Sequence, residues 1–384
     1  MDVFSTVITG FENVAANEIL TKIANVKNVE PKRGNVRCKL KPENLRSILK
    51  MRSIDNCYVL FYESVIEGLG QMQKEEALGT LRNLVPSLEW NKAVSAWQWA
   101  HNRQIHGGVK LVKKQMKIFM EKRKIFKCTK DSPSFRVTCK RAGVLSDHQF
   151  SSMDAAWKFG GQINEVFGWK ASMKKFDIEI VLRIEQDSVM VMIALNNESL
   201  FKRNIIAFGP TTMRSTMCFC MLSIADPAPG EIIVDAMCGG GSIPIEGARA
   251  FPSSFFIGGD NHDKAMERCH ENLTVNPSGI PCNFIRWNAC RMPLHDESVD
   301  AIVTDLPFGK KVGSVEDNRK AYPELLKEWR RVLRIGGRIV LMTHDKRSLD
   351  TAIATDRDSW RTDATTMVNV GGLPCLCIRL SKLQ

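Results

Sequence analysis

The stretch Val234-Asp235-Ala236-Met237-Cys238-Gly239-Gly240-Gly241-Ser242 decides the fold. The apolar run Ile232-Ile233-Val234 leads in and Ile243-Pro244-Ile245-Glu246-Gly247-Ala248 leads out, so the passage reads as strand, tight glycine turn, helix. Glycines there permit positive φ and let a ligand approach the backbone, and the helix start offers unpaired N–H groups and the positive end of a dipole. Alone, such a turn serves a dinucleotide loop, another kind of cofactor loop or a tight corner, so its surroundings have to choose.

Downstream the pattern is regular. Strands are expected at 255–260, ending in Asp260, at 282–288, ending in Asn288, at 299–305, ending in Asp305, and at 337–342. Helices are expected at 212–225, before the glycine loop, and at 263–275, 322–333 and 346–354, with two closing strands around 361–370 and 375–380. Strands alternating with helices make an α/β domain with a mostly parallel sheet covered on both faces. Ligands in such sheets sit beyond the carboxyl ends of the strands. The glycine loop, Asp260, Asn288 and Asp305 all fall at such ends, so one crevice gathers them.

Upstream, residues 1–95 read as a small α+β unit: strands at 3–9, 34–40 and 58–62, with helices after Gly10 and at 43–51. Trp90, Trp97 and Trp99 follow, and core or interface packing is the preferred role for them. A helix at 152–167 and strands at 177–183 and 189–195 belong to a second unit, 96–200, and the polar stretch 196–210 marks the boundary to the C-terminal domain, 201–384. Residues 110–141 hold twelve Lys or Arg and only two acids, Glu121 and Asp131. A lysine-rich helix is most often a solvated face. Here the run continues into a strand and carries Phe119, Phe126 and Phe135 among its cations. Phosphate-backbone binding is therefore expected from Lys113, Lys114, Lys122, Arg123, Lys124, Arg136, Lys140 and Arg141.

The whole chain, 384 residues with a net charge of +12 and a pI near 9.1, fits a polyanionic partner, nucleic acid first. Twelve cysteines form no CxxC pair, and Cys218/Cys220 and Cys375/Cys377 sit in apolar segments, so buried thiols in a reducing compartment are expected and a metal site is not. The N-terminus lacks signal-peptide regions, no apolar run reaches membrane-spanning length, and Ser381-Lys382-Leu383 is followed by Gln384 and is no peroxisomal address. Cytoplasm, or nucleus, is the expected location.

Asp260 lies nineteen residues after Gly241, where an acid accepts hydrogen bonds from ribose hydroxyls. A nicotinamide dinucleotide and S-adenosylmethionine both suit that arrangement, but Cys238-Gly239-Gly240-Gly241-Ser242 is not G-x-G-x-x-G, which disfavours the dinucleotide. Asp305-Leu306-Pro307-Phe308 decides: it resembles the D/N-P-P-Y/F motif of methyltransferases acting on exocyclic amino groups of bases. Such an amino group is a poor nucleophile, because its lone pair is delocalised into the ring. The Asp305 carboxylate and a main-chain carbonyl near Leu306 or Pro307 can accept its two N–H bonds, and Phe308 can stack on the base, a contact worth about 1–3 kcal/mol.

Four segments carry a wider resemblance: Gly209-Pro210-Thr211-Thr212-Met213-Arg214-Ser215-Thr216, Ile233 to Gly241, Thr304-Asp305-Leu306-Pro307-Phe308-Gly309-Lys310 and Val368-Asn369-Val370-Gly371-Gly372-Leu373. Together they resemble the THUMP-domain RNA guanosine N2-methyltransferases over nearly the whole chain, more strongly in the C-terminal half. The resemblance implies a ferredoxin-like unit, a THUMP domain and a seven-stranded Rossmann-like class I methyltransferase domain. It further implies S-adenosyl-L-methionine as donor and N2-methylguanosine in the tRNA acceptor stem as product, at the sixth nucleotide or also the seventh, with the THUMP domain holding the 3′ CCA end. A small zinc-containing activator subunit is the implied protein partner.

By position, Asp235 and Gly239 would hold the methionine end of the cofactor, Asp260 the ribose and Asn288 the adenine, with Cys238, Gly241, Asn261, Ala289 and Asp305 also expected against the cofactor and Asp305 to Phe308 at the target base. Gly240 stands where relatives often have Thr, and Asn288 where Asp is usual. Two other functions stay open at this point: an RNA-binding scaffold with an inactive methyltransferase domain, and methylation of adenine N6 in nucleic acid.

Overall fold

The computed structural model describes residues 1–103, 108–142, 148–308 and 314–384. The N-terminal half contains β1 (Asp2–Val7), α1 (Glu12–Lys22), β2 (Lys27–Lys32), β3 (Asn35–Lys39), α2 (Leu45–Ile48), β4 (Ile54–Val65), α3 (Lys74–Leu84), α4 (Trp90–His101), α5 (Gly108–Lys122), β5 (Ser134–Ala142), α6 (Ser152–Phe167), β6 (Lys170–Ala171), β7 (Ile178–Glu185) and β8 (Ser188–Ala194). Its strands form one eight-stranded sheet in the order β2-β3-β1-β4-β8-β7-β5-β6. The antiparallel pairing of β4 with β8, from Tyr58↔Ala194 to Val65↔Ser188, joins the first unit to the second. The expected boundary at 95/96 falls inside α4, and a single core runs from Val3 to Leu195.

The helices α3 and α4 were not read from the sequence, although Trp90, Ala93, Val94, Trp97 and Ala100 repeat at helical spacing and are buried together. Trp90 and Trp97 are core residues, while Trp99 is 52% exposed. The helix α6 was expected with its observed limits. Ser151 and Asp154 close a capping box at its start, and Gly168, at φ 62°, ends it.

The C-terminal half contains α7 (Ser215–Ala225), β9 (Ile232–Asp235), α8 (Ser242–Ala250), β10 (Phe255–Asp260), α9 (Asp263–Thr274), β11 (Cys282–Arg286), β12 (Val299–Asp305), α10 (Val315–Val332), β13 (Leu333–Thr343), α11 (Lys346–Ala354), β14 (Trp360–Val370) and β15 (Leu373–Lys382). Its seven-stranded sheet has the order β11-β10-β9-β12-β13-β15-β14. The strands β11 to β13 run parallel, and β15 and β14 are antiparallel additions. This is the α/β architecture with a mostly parallel sheet expected from the alternating pattern, with the seven strands that the resemblance implies. The helix α10 starts at Val315 rather than near Tyr322, because Ser314 and Asp317 form a capping box there and Pro323 is accommodated inside the helix. Cys218, Cys220, Cys375 and Cys377 are buried in the core. Among the described residues, no helix is long and apolar enough to cross a membrane.

The halves meet at the tip of β1. Ile8 and Phe11 enter the C-terminal core beside Val368 and Cys375. Gly10, at φ 107°, leaves no room for a side chain, since a Cβ would lie 2.2 Å from the Met367 carbonyl, and Asn369 N donates to the Thr9 carbonyl at 2.9 Å.

Candidate active site

Strand order reverses at the pair β9 and β12, the position where an open α/β sheet leaves a crevice at its carboxyl edge. Asp235, Asp260 and Asp305 end three strands there, β9, β10 and β12. The glycine loop rises between β9 and α8. Gly239 (φ 54°) and Gly241 (φ 81°) adopt the left-handed conformation, and a Cβ on Gly241 would meet the Phe284 ring at 2.6 Å. Gly240 has no such constraint: a Cβ there meets Asn272 Nδ2 at 3.4 Å, an ordinary contact. The loop geometry therefore does not require glycine at 240.

The sequence reading missed Asn272, which is fully buried on α9. Its Oδ1 accepts from Ile206 N and Ala207 N, both at 2.8 Å, and its Nδ2 donates to the carbonyls of Gly240 at 2.8 Å and Ala207 at 3.1 Å. One amide so ties the glycine loop to the connector between the halves. Only a helical-period analysis that asked why Asn follows Ala265 and Cys269 on the buried face of α9 would have found it. Trp287 is a second missed residue. It is buried, its Nε1 donates to the Ala236 carbonyl at 3.0 Å, and its ring lies where a Cβ on Gly259 would be, 1.9 Å away.

Asp260 receives Gly239 N on one oxygen and His262 N on the other, each at 3.0 Å. Each oxygen keeps acceptor capacity toward the crevice. Asp235 is buried and accepts from Thr304 Oγ1 at 2.7 Å and Met237 N at 3.2 Å. Burial, and then the charge of Asp305, push its carboxyl well above the usual range. Asp305 is pushed up to about 7, first by burial and further by Asp260. Among the described residues, no Lys or Arg pairs with any of these three acids. The crevice thus gathers acidic side chains with no counterion among the described residues, and a cationic ligand or a developing positive charge there would favour their ionised forms.

The strand-four motif divides its roles. The Leu306 side chain is core, 3% exposed, so only its main chain faces the chemistry. The Pro307 carbonyl accepts from Tyr322 Oη at 2.6 Å, and that hydroxyl also meets Thr343 Oγ1 at 2.9 Å. Tyr322 orients the acceptor and was also missed. Phe308 is half-buried against the core that includes Ile8 and Val368. Gly309 and Lys310 lie outside the described residues. Asn288 is exposed, with its Oδ1 accepting from Cys290 N at 2.9 Å, beside the buried Ala289. Asn261 is exposed at the end of β10, and Cys238 is buried with its Sγ 3.7 Å from that of Cys269. The described residues contain no group of three or more His, Cys, Asp or Glu placed to hold a metal.

In the N-terminal half, Lys113 and Lys114 are exposed on α5, and Lys122, Arg123 and Lys124 are exposed at its end and just beyond it. On β5 the cations are engaged. Arg136 donates to Glu179 at 2.8 Å and lies 4.0 Å from the Phe176 ring centroid. Arg141 donates to Ser152 Oγ and to the His148 carbonyl, and Lys140 lies over Tyr58.

Comparison with known proteins places both halves. Residues 112–194 match the THUMP domain and residues 203–374 the RMKL-like methyltransferase domain. The human tRNA (guanine(6)-N(2))-methyltransferase THUMP3 is 35% identical across 96% of this chain and 86% of its own length. The crystal structure of TrmN from Thermus thermophilus shares the fold, with a TM-score of 0.74 at 20% identity over 100% of this chain and 99% of that one. So does SMU.472, a putative methyltransferase complexed with SAH, with a TM-score of 0.74 at 13% identity over 100% and 98%.

Proposed function

Since the chain belongs to the family of THUMP-domain tRNA guanine N2-methyltransferases, we propose that it transfers a methyl group from S-adenosyl-L-methionine to N2 of guanosine 6 in the tRNA acceptor stem, the position in the name of its human relative. The observation that carries this reading is the set of three acids, Asp235, Asp260 and Asp305, at adjacent strand ends around a glycine loop, with no cationic partner among the described residues. These residues fit the cofactor: the left-handed glycines clear space beside the backbone, Asp260 retains acceptors for hydroxyls, and the crevice favours positive charge. S-adenosylmethionine supplies an electrophilic methyl group on a cationic sulfonium.

The chain's own residues do the rest. The Asp305 carboxylate and the carbonyl of Leu306 or Pro307 accept the two N2–H bonds, which turns the nitrogen lone pair toward the donor. Phe308 stacks on the base, and Tyr322 keeps the Pro307 carbonyl in place. As the N–C bond forms, N2 becomes cationic, and Asp305 stabilises that charge and is placed to hold the departing proton.

The exposed cations Lys113, Lys114, Lys122, Arg123 and Lys124 bind phosphates near the CCA end in this proposal. The activator subunit is a partner, and the cytoplasm the site of action. The test is incubation of the full chain, with and without the activator, with labelled donor and unmodified tRNA, followed by nucleoside mass spectrometry. Label in N2-methylguanosine at position 6 is expected. Label confined to adenosine would overturn the base assignment, and cofactor binding without transfer to any RNA would favour the scaffold.

A further inference from the structure

Two carboxylates, Glu246 and Asp55, bind the halves together through α8 and α7. Glu246 is fully buried on α8, one turn beyond the glycine loop. It accepts from Arg52 at 2.6 Å, from Arg203 at 2.8 and 3.2 Å, and from Asn204 at 2.7 Å. Arg52 belongs to the N-terminal half, between α2 and β4, and Arg203 and Asn204 to the connector. Arg203 also donates to the Arg52 carbonyl at 2.7 Å, and its own carbonyl accepts from Ser215 Oγ at 2.9 Å. Arg52 is held from behind, because its main-chain N–H donates to both oxygens of Glu18 at 3.0 Å. On α7, which packs against α8, Thr216 donates to Asp55 of β4 at 2.7 Å, and Arg214 donates to the same carboxylate at 3.5 Å.

Buried ion clusters of this kind stabilise a fold little better than apolar contacts of equal volume. Their distinguishing property is direction. The apolar contact of Ile8 and Phe11 with Val368 is in itself non-directional, whereas four hydrogen bonds from Arg52 and the connector converge on one carboxylate with fixed directions.

We propose that Glu246, with Arg52 and Arg203, is a specificity-determining positioning residue: it sets the distance between the phosphate grip and Asp305, and so the guanosine that is methylated. This rests on the proposed function. Neighbouring nucleotides of a duplex are displaced along its axis by only about 3 Å, so selection by distance demands a junction rigid to less than that. Apolar packing alone does not supply such rigidity across a jointed chain.

The test maps methylated positions by mass spectrometry of RNA fragments. It uses the full chain with its activator and unmodified tRNA bearing guanosines at adjacent acceptor-stem positions. Wild type is expected to label one guanosine. Glu246→Gln keeps the shape of the side chain but removes its charge, and it is expected to raise the share of label at neighbouring nucleotides about tenfold at matched turnover, about 1.4 kcal/mol less discrimination. Arg203→Lys keeps the charge, gives up the two-pronged hydrogen bonding, and is expected to move the distribution in the same direction. It decides the matter should Glu246→Gln fail to fold. A folded variant that labels the same single guanosine with wild-type selectivity overturns the proposal. If wild type itself labels a base other than guanine, the functional reading falls, while the comparison of label distributions between wild type and variant still tests the junction.

Discussion

The crevice and the basic face of the N-terminal half use charge in opposite ways. At the crevice, Asp235, Asp260 and Asp305 are fixed at strand ends within a wall so tight that Gly241, Gly258 and Gly259 each exclude a Cβ. Burial keeps two of those acids well above the usual carboxylate range. On α5 and just beyond, Lys113, Lys114, Lys122, Arg123 and Lys124 stand in solvent, and among residues 110–124 only Lys117 has a carboxylate partner, Glu121, at 3.8 Å. The difference teaches what each region can select. A buried charge of fixed position discriminates one atom of one base. Exposed, mobile charges act additively on any phosphate and carry no sequence information. Position along the RNA must therefore come from what lies between them.

The largest expected effect breaks the crevice alone. Asp305→Asn keeps the shape but removes the anionic acceptor, and kcat should fall by about 100- to 1,000-fold, as for removal of one preorganised hydrogen-bonding group. The tRNA affinity should stay within about twofold, measured by filter binding, since phosphates supply most of it. In wild type, Asp305 is protonated below its value of about 7 and then no longer offers the anionic acceptor that stabilises a cationic N2. The kcat/KM should therefore rise about tenfold per pH unit on the acid side and level off above neutrality. Asp305→Asn should abolish that rise.

Next is the wall. Gly259→Ala would drive a methyl group into the Trp287 ring, which its bond to Ala236 holds in place. Overpacking of this kind costs about 1–3 kcal/mol, read as a lower Tm together with weaker cofactor binding by calorimetry. Asn272→Ala should follow. It strips partners from Gly240, Ile206 and Ala207, a cost of about 1–3 kcal/mol if one such group stays buried without a partner, and cofactor affinity should drop while tRNA binding persists.

The smallest effect per residue belongs to the basic face. Neutralising Lys113, Lys114, Lys122, Arg123 and Lys124 together should lower the slope of log K against log salt by about 0.7–0.9 for each phosphate that the protein no longer neutralises. Cofactor affinity should not change. Equal tRNA affinity at every salt concentration would show a solvated face and place the grip elsewhere. Arg136 and Arg141, already engaged with Glu179 and with Ser152 and His148, should contribute less to that slope than Lys113 or Lys124.

Much of the crevice was legible because its requirements are local. Glycines at 239 and 241, an acid nineteen residues on and Asp-Leu-Pro-Phe at the end of a strand are short-range features, and parallel strands deliver their ends to one edge whatever lies between them. The same locality explains what was missed. Tyr322 touches Pro307 from fifteen residues away, Asn272 touches Gly240 from thirty-two, and Glu246 meets Arg52 across 194. None carries a spacing signature, because its partner is chosen by packing.

The sequence by itself determined the order of strands and helices in the C-terminal half, the three carboxylates at strand ends and the basic run, because hydrophobic period, glycine conformation and charge are properties of neighbouring residues. Only the tertiary structure decided that the two N-terminal units share one sheet through β4 and β8. It also decided that Leu306 belongs to the core, that Arg136 is engaged by Glu179, and that Glu246 is the point where the halves lock. Each of these depends on which distant surfaces meet, and a buried polar group takes whatever partner the folded chain brings within reach, since leaving it without one costs more than any local preference it might otherwise express.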